Sequence, residues 1–148
     1  CVEDITIQSQ GGYVTRPVQR FPYSVKGKAT PEEYKAFQER EKEQALRETL
    51  RLDPDHGKAH ENLGSLLARQ GRLDEALDLF ARATRITPKS PTAWFNLGFG
   101  LATVGRYAEA ERCFREVLRL KPDDAEARQN LDFVRAEAQK ARDAKPAE

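Results

Sequence analysis

His56 and His60 are the only histidines of the 148-residue chain, and they stand four residues apart. On a helix that spacing puts both imidazoles on one face, and with Asp53 and Asp55 nearby it resembles half of a zinc site. Two positions argue against it. His56 follows Pro54 in a turn, and His60 stands where Trp94 stands 34 residues later, a slot that faces a helix interface. The glycines of "GFGLATVG" (98–105) lack the preceding strand that a dinucleotide-binding loop requires. Glu32/Glu33 and Asp123/Asp124 lie at predicted helix starts, where the helix dipole accounts for carboxylates. Cys113 lies on a predicted helix and reads as a small packing residue. No catalytic residue, metal or cofactor is expected.

Composition points the same way. Lysine plus arginine (25) nearly cancels aspartate plus glutamate (24), so a net charge of +1 gives no basic footprint for nucleic acid. No apolar run approaches the ~18 residues of a membrane span. The abundant Ala, Leu, Glu, Arg and Lys favour helix.

The elements that would position a site are visible as a repeat. "AHENLGSLLARQGRLDEA" (59–76) and "AWFNLGFGLATVGRYAEA" (93–110) are identical at ten of eighteen positions without a gap. The same offset aligns Phe80 with Phe114, Ile86 with Leu120, and Pro54 with Pro88 and Pro122; it also carries Ala93, Asn96 and Leu97 onto Ala127, Asn130 and Leu131. Each unit reads as two helices of about 14 residues joined at Gly71 or Gly105, where positive φ is cheap for glycine. Leu63 and Leu67, then Ala76, Phe80 and Ala83, recur at helical spacing and give each helix one apolar stripe. Gly64/Ala76 and Gly98/Ala110 are small enough for paired helices to approach. The prolines stop each pair, and Asp53, Ser90 and Asp124 are candidate caps or turn residues.

A 34-residue period with Trp94, Leu97, Gly98, Ala110, Phe114 and Pro122 resembles the tetratricopeptide repeat family. The resemblance covers roughly 54–136, with His60 replacing Trp and Leu73 standing where Tyr107 does. It implies an all-α fold, a right-handed helix-turn-helix solenoid of about six helices. Residues 30–141 form it: a flanking helix at 30–53, repeats at 57–90 and 91–124, and a capping helix at 125–141. Thr30, Pro31 and Glu33 form a predicted capping box, and Leu46, Leu50 and Leu52 are expected to point at the next pair. Asp132, at the close-contact glycine position, fits an end helix without a mate. Residues 142–148 are an expected frayed tail.

Residues 1–29 share neither period nor composition with the rest. "DITIQS" and "YVTR" around "QGG" predict an extended arm or a two-stranded hairpin, with Tyr13, Phe21 and Tyr23 as candidate docking residues. The other reading of the arm is a linker between a lipid anchor and the domain. The chain begins with Cys1 and contains no Met, which resembles the mature end of a bacterial lipoprotein. That implies a lipidated Cys1 on a periplasmic or outer-surface membrane face; the alternatives are an arbitrary starting point and a cytoplasmic location.

With no reactive group to assign, the working part is expected to be a groove lined by the first helix of each unit. Its expected exposed positions are Lys58, Glu61, Asn62, Ser65 and Arg69; Thr92, Phe95, Asn96, Phe99 and Thr103; and Glu126, Gln129, Asn130 and Phe133. Asn62, Asn96 and Asn130 form a ladder whose carboxamides can donate to and accept from an extended peptide backbone. Larger relatives use such a ladder that way. Phe95, Phe99 and Phe133 would offer an apolar anchor pocket. The carboxylate clamp of chaperone-binding relatives is not expected, because Glu61 and Glu126 occupy or adjoin its places. The expected function is a non-enzymatic protein–protein interaction module that binds an extended segment of a protein or peptide partner, assembling or anchoring an envelope complex. The alternative is a structural accessory subunit of a membrane complex.

Overall fold

The computed structural model describes residues 4–9, 12–17 and 30–144. The chain divides into two compact units, 1–42 and 43–148. In the first, β1 (Asp4–Ser9) pairs antiparallel with β2 (Gly12–Pro17), in the register Asp4↔Pro17 to Ser9↔Gly12. Pro17, which has no N–H to donate, ends the ladder. Tyr13 falls in β2, whereas Cys1, Phe21 and Tyr23 lie outside the described residues.

Helix α1 (Pro31–Leu52) opens with the reciprocal cap written in its sequence. The Glu33 N–H donates to Thr30 Oγ1 at 3.2 Å and the Thr30 N–H donates to the Glu33 carboxylate at 2.8 Å. Within the second unit, Leu46 and Leu50 pack on the Leu63/Leu67/Phe80 cluster. Leu52 does not: it is 69% exposed. Two residues turn a helix by about 200°, so Leu52 cannot share a face with Leu50.

The second unit continues as α2 (Gly57–Arg69), α3 (Leu73–Ile86), α4 (Pro91–Thr103), α5 (Tyr107–Leu120) and α6 (Ala125–Asp143). Helices α2 and α3 form one hairpin, α4 and α5 a second, and α6 packs on α5. The expected all-α solenoid of stacked helix-turn-helix units is the observed fold. Both hairpins turn in the same way. Gly71 has φ 80° and Gly105 has φ 77°; the next N–H, of Arg72 or Arg106, returns to the carbonyl of Leu67 or Leu101 at 2.9 Å. That closure satisfies carbonyls which a helix end leaves unpaired.

Close packing inside each hairpin depends on a missing side chain. A Cβ on Gly64 would sit 2.6 Å from Phe80, and one on Gly98 would sit 3.0 Å from Cys113 Cβ and 3.2 Å from the Phe114 ring. Phe114 is fully buried among Leu101, Ala110, Val117, Leu131 and Val134. Leu97 touches both the first-hairpin and second-hairpin clusters, so apolar contact runs through the stack without a break.

The inter-helix turns are tied by one recurring bond. His60 Nε2 lies 2.8 Å from the Pro54 carbonyl, Trp94 Nε1 donates to the Pro88 carbonyl at 2.8 Å, and Arg128 Nη2 donates to the Pro122 carbonyl at 2.9 Å. Three different side chains therefore meet the same need, a donor for a turn carbonyl. His56 Nδ1, Ser90 Oγ and Asp124 Oδ1 cap α2, α4 and α6 by accepting from the N–H three residues on. Asp53 serves the turn instead, its carbonyl accepting from the His56 N–H.

Candidate functional site

The first helices of the units, α2 and α4, line a cleft of 420 Å³ with help from α3 and the start of α6. Its apolar floor is Phe80, Phe95, Phe99 and Leu73, and its polar rim is Ser65, Arg69, Asn96, Thr103 and Glu126. Phe95 is fixed edge-on against Phe114, with ring centroids 5.6 Å apart. Phe99 stays 57% exposed. An aromatic face open to water beside an asparagine and a threonine is suited to an apolar side chain flanked by peptide backbone.

Of the residues singled out in the sequence, Ser65, Phe95, Asn96 and Phe99 are brought together here. Phe133 lies one repeat farther along, 54% exposed, with its ring 6.3 Å from that of Tyr107. Phe133 and Tyr107 stand one period after Phe99 and Leu73, which both line the cleft. Lys58, Asn62, Gln129 and Asn130 do not line the cleft. Asn62 and Asn96 make no side-chain hydrogen bond among the described residues, whereas Asn130 Nδ2 donates to the Glu126 carbonyl of its own helix at 2.9 Å. The ladder therefore offers two uncommitted carboxamides and one already engaged.

Glu61 corrects the sequence reading. Expected on the exposed face, it is only 4% exposed. Lys58 Nζ donates to one carboxylate oxygen at 2.8 Å, and Ser90 Oγ donates to the other at 3.3 Å. Because Ser90 also caps α4, this carboxylate clips α2 to the start of the next unit. The series Glu61, Phe95, Gln129 runs from buried through half-buried to exposed. Ser90 stands 29 residues after Glu61, a spacing that carries no signature in the sequence.

No reactive centre gathers among the described residues. No group of three or more His, Cys, Asp or Glu is placed to hold a metal, and the two imidazoles are engaged separately, with the α2 cap and the Pro54 carbonyl. Burial, assisted by Glu109, pushes the Cys113 thiol up to about 11, so it is not a nucleophile at neutral pH.

Residues 40–91 match one profile described as tetratricopeptide repeat and residues 91–124 match another, together more than half of the chain. The chain belongs to the tetratricopeptide repeat family. Such modules mediate protein–protein interactions through the groove of the stack. No curated protein sequence matches. Among solved structures, the tetratricopeptide repeat domain of Arabidopsis OM64 is similar at 22% identity and TM-score 0.63, over 70% of this chain and 85% of that one. The first tetratricopeptide repeat domain of Spaghetti (RPAP3), bound to the HSP90 peptide SRMEEVD, is similar at 18% identity and TM-score 0.66, over 73% and 86%. MamA AMB-1 is similar at 25% identity and TM-score 0.61, over 70% of this chain and 57% of MamA. These likenesses concern the tetratricopeptide repeat fold.

Proposed function

We propose that this chain is a non-enzymatic adaptor that holds an extended segment of a protein partner along the α2/α4 groove, seating an apolar side chain on Phe95 and Phe99. The observation that carries the proposal is Phe99, more than half exposed on the floor of a cleft whose rim presents the uncommitted carboxamide of Asn96. Backbone amides of the partner would bond to Asn96, which both donates and accepts. The RPAP3 relative holds an HSP90 peptide, and that likeness in fold supports a peptide as guest. It does not extend to the guest's acidic sequence, since Glu126 on the rim of the cleft would repel it.

Peptides selected on the full chain from a random library test the proposal. Asn96→Ala and Phe99→Ala should each weaken the selected peptides by ~1–3 kcal/mol while leaving the melting transition in place. Normal binding by both variants would refute the groove assignment. A lipid on Cys1, with a place on a periplasmic or outer membrane surface, extends the same proposal from the sequence; intact mass of protein from its native source checks it.

A further inference from the structure

A second cavity, of 310 Å³, shares no lining residue with the groove. Arg47, Leu50 and Arg51 of α1, Pro54, His60 and Leu63 of α2 and its lead-in turn, and Leu79 and Arg82 of α3 line it, and it is open to solvent. Three guanidinium groups stand over three leucines, and no carboxylate lines the space. Arg47 and Arg51 are partly neutralised from outside the cavity, by Glu43 at 2.8 Å and Glu48 at 2.8 Å. Arg82 has no such partner: among the described residues it makes no ion pair, and neither does exposed Asp78 one turn before it. Guanidinium groups not already satisfied are strong, directional donors to carboxylates. His60 adds a second irregularity. Its Nε2 is committed to Pro54, while Nδ1 is buried without a partner in a residue only 3% exposed.

The molecule contains its own control. One period later the corresponding positions are Ala81, Thr84, Arg85, Pro88, Trp94, Leu97, Cys113 and Glu116. There the larger Trp94 indole replaces the imidazole and makes the same proline bond without a leftover nitrogen. Glu116 replaces Arg82 and is paired with Arg119 at 2.7 Å. The positions of Arg47, Arg51 and Arg82 thus carry three arginines in the first repeat but Ala81, Arg85 and Glu116 in the second. Structural duty alone is met by the second set.

We propose that the Arg47/Arg51/Arg82 cavity is a binding site for an aliphatic carboxylate, the head held by Arg82 and Arg51 and the tail lying on Leu50, Leu63 and Leu79. Two sources share that chemistry, a free aliphatic acid and a polypeptide C-terminus ending in an aliphatic residue. The volume suits one small group rather than a long chain.

Hexanoate titrated into the full chain, followed by Arg Nε and His60 ring resonances, tests the site, with hexanol and acetate as controls for head and tail. Saturable shifts are expected with hexanoate, at least tenfold weaker with either control. Arg82→Glu and His60→Trp copy the second repeat, and each should abolish the hexanoate shifts; circular dichroism reports whether each variant is folded. Competition by a leucine-ending peptide with a free C-terminus, lost on its amidation, assigns the polypeptide source, and its failure to compete assigns the free acid. Equal response to hexanol, or undiminished hexanoate shifts in folded Arg82→Glu, overturns the proposal.

Discussion

The two hairpins, α2/α3 and α4/α5, have the same turns, the same glycine-on-phenylalanine contact and the same proline-carbonyl bond, but they join their upstream neighbours differently. At the first joint Glu43 of α1 accepts from Arg72 at 2.9 Å and from Arg47 at 2.8 Å, while Arg72 also holds Glu75 at 2.7 Å. At the second joint Leu77 and Ala81 stand where Glu43 and Arg47 do, and only the local Arg106–Glu109 pair remains. One joint is laced by ion pairs between helices, and the other combines apolar contact with the Glu61–Ser90 hydrogen bond. Repeats fix the backbone with a few small and apolar positions, which leaves the remaining positions free to set how firmly, and under what conditions, units adhere.

The harshest way to probe the comparison is at the shared contact. Gly98→Leu should abolish the cooperative unfolding transition, because the Cβ alone already meets Cys113 at 3.0 Å and Phe114 at 3.2 Å and three further carbons must follow it. Alanine is gentler and should separate the repeats. Gly64→Ala meets the Phe80 ring at 2.6 Å, against 3.0 Å for the nearest contact of Gly98→Ala. Urea unfolding should show a loss of ~1–3 kcal/mol for the first and less for the second, where the helix preference of alanine offsets part of the strain. The reverse order would mean that the two hairpins do not relax as their packing indicates.

Acid should weaken the charged joint. Hydrogen bonds from Arg47, then Arg72, hold the Glu43 carboxyl below its usual range, against an opposing effect of burial. A depressed carboxylate stabilises the fold fully above its unfolded value, and that contribution is lost as pH falls through the folded one. Protection of the amides of residues 43–52 should therefore fall below pH 4.5 before that of α5 does, and 1 M salt should act in the same direction. Equal loss of protection in both would place the joint's strength in Leu46 and Leu50 instead. The smallest expected effect concerns Cys113, which stands where the first repeat has Leu79. In a Cys1→Ser background, thiol reagents at pH 8 should label it only as fast as the protein opens, because the buried thiol titrates near 11.

The candidate site residues divide along a similar line. Phe99 and Asn96 were legible because first-helix positions facing away from the hairpin recur with the period. Glu61 was not, since its burial depends on α4 arriving over it and on Ser90 turning a hydroxyl toward it. Leu52 misled because an apolar residue at a helix end reads as core until its angular position is counted. The second cavity was invisible for a related reason: Arg47, Arg51, His60 and Arg82 come from three helices, and their sequence spacing carries no signature.

Sequence alone determined the period, the helix pairs, the turns at Gly71 and Gly105, and the small residues that let helices meet. Those features act within about one repeat, where local propensity and spacing are sufficient. Only the stacked structure decided which side chains end up facing the same space, which carboxylate is buried, and which arginine is left without a counter-charge. These depend on the distance and rotation between helices, quantities set by packing across units rather than by any stretch of residues read in order.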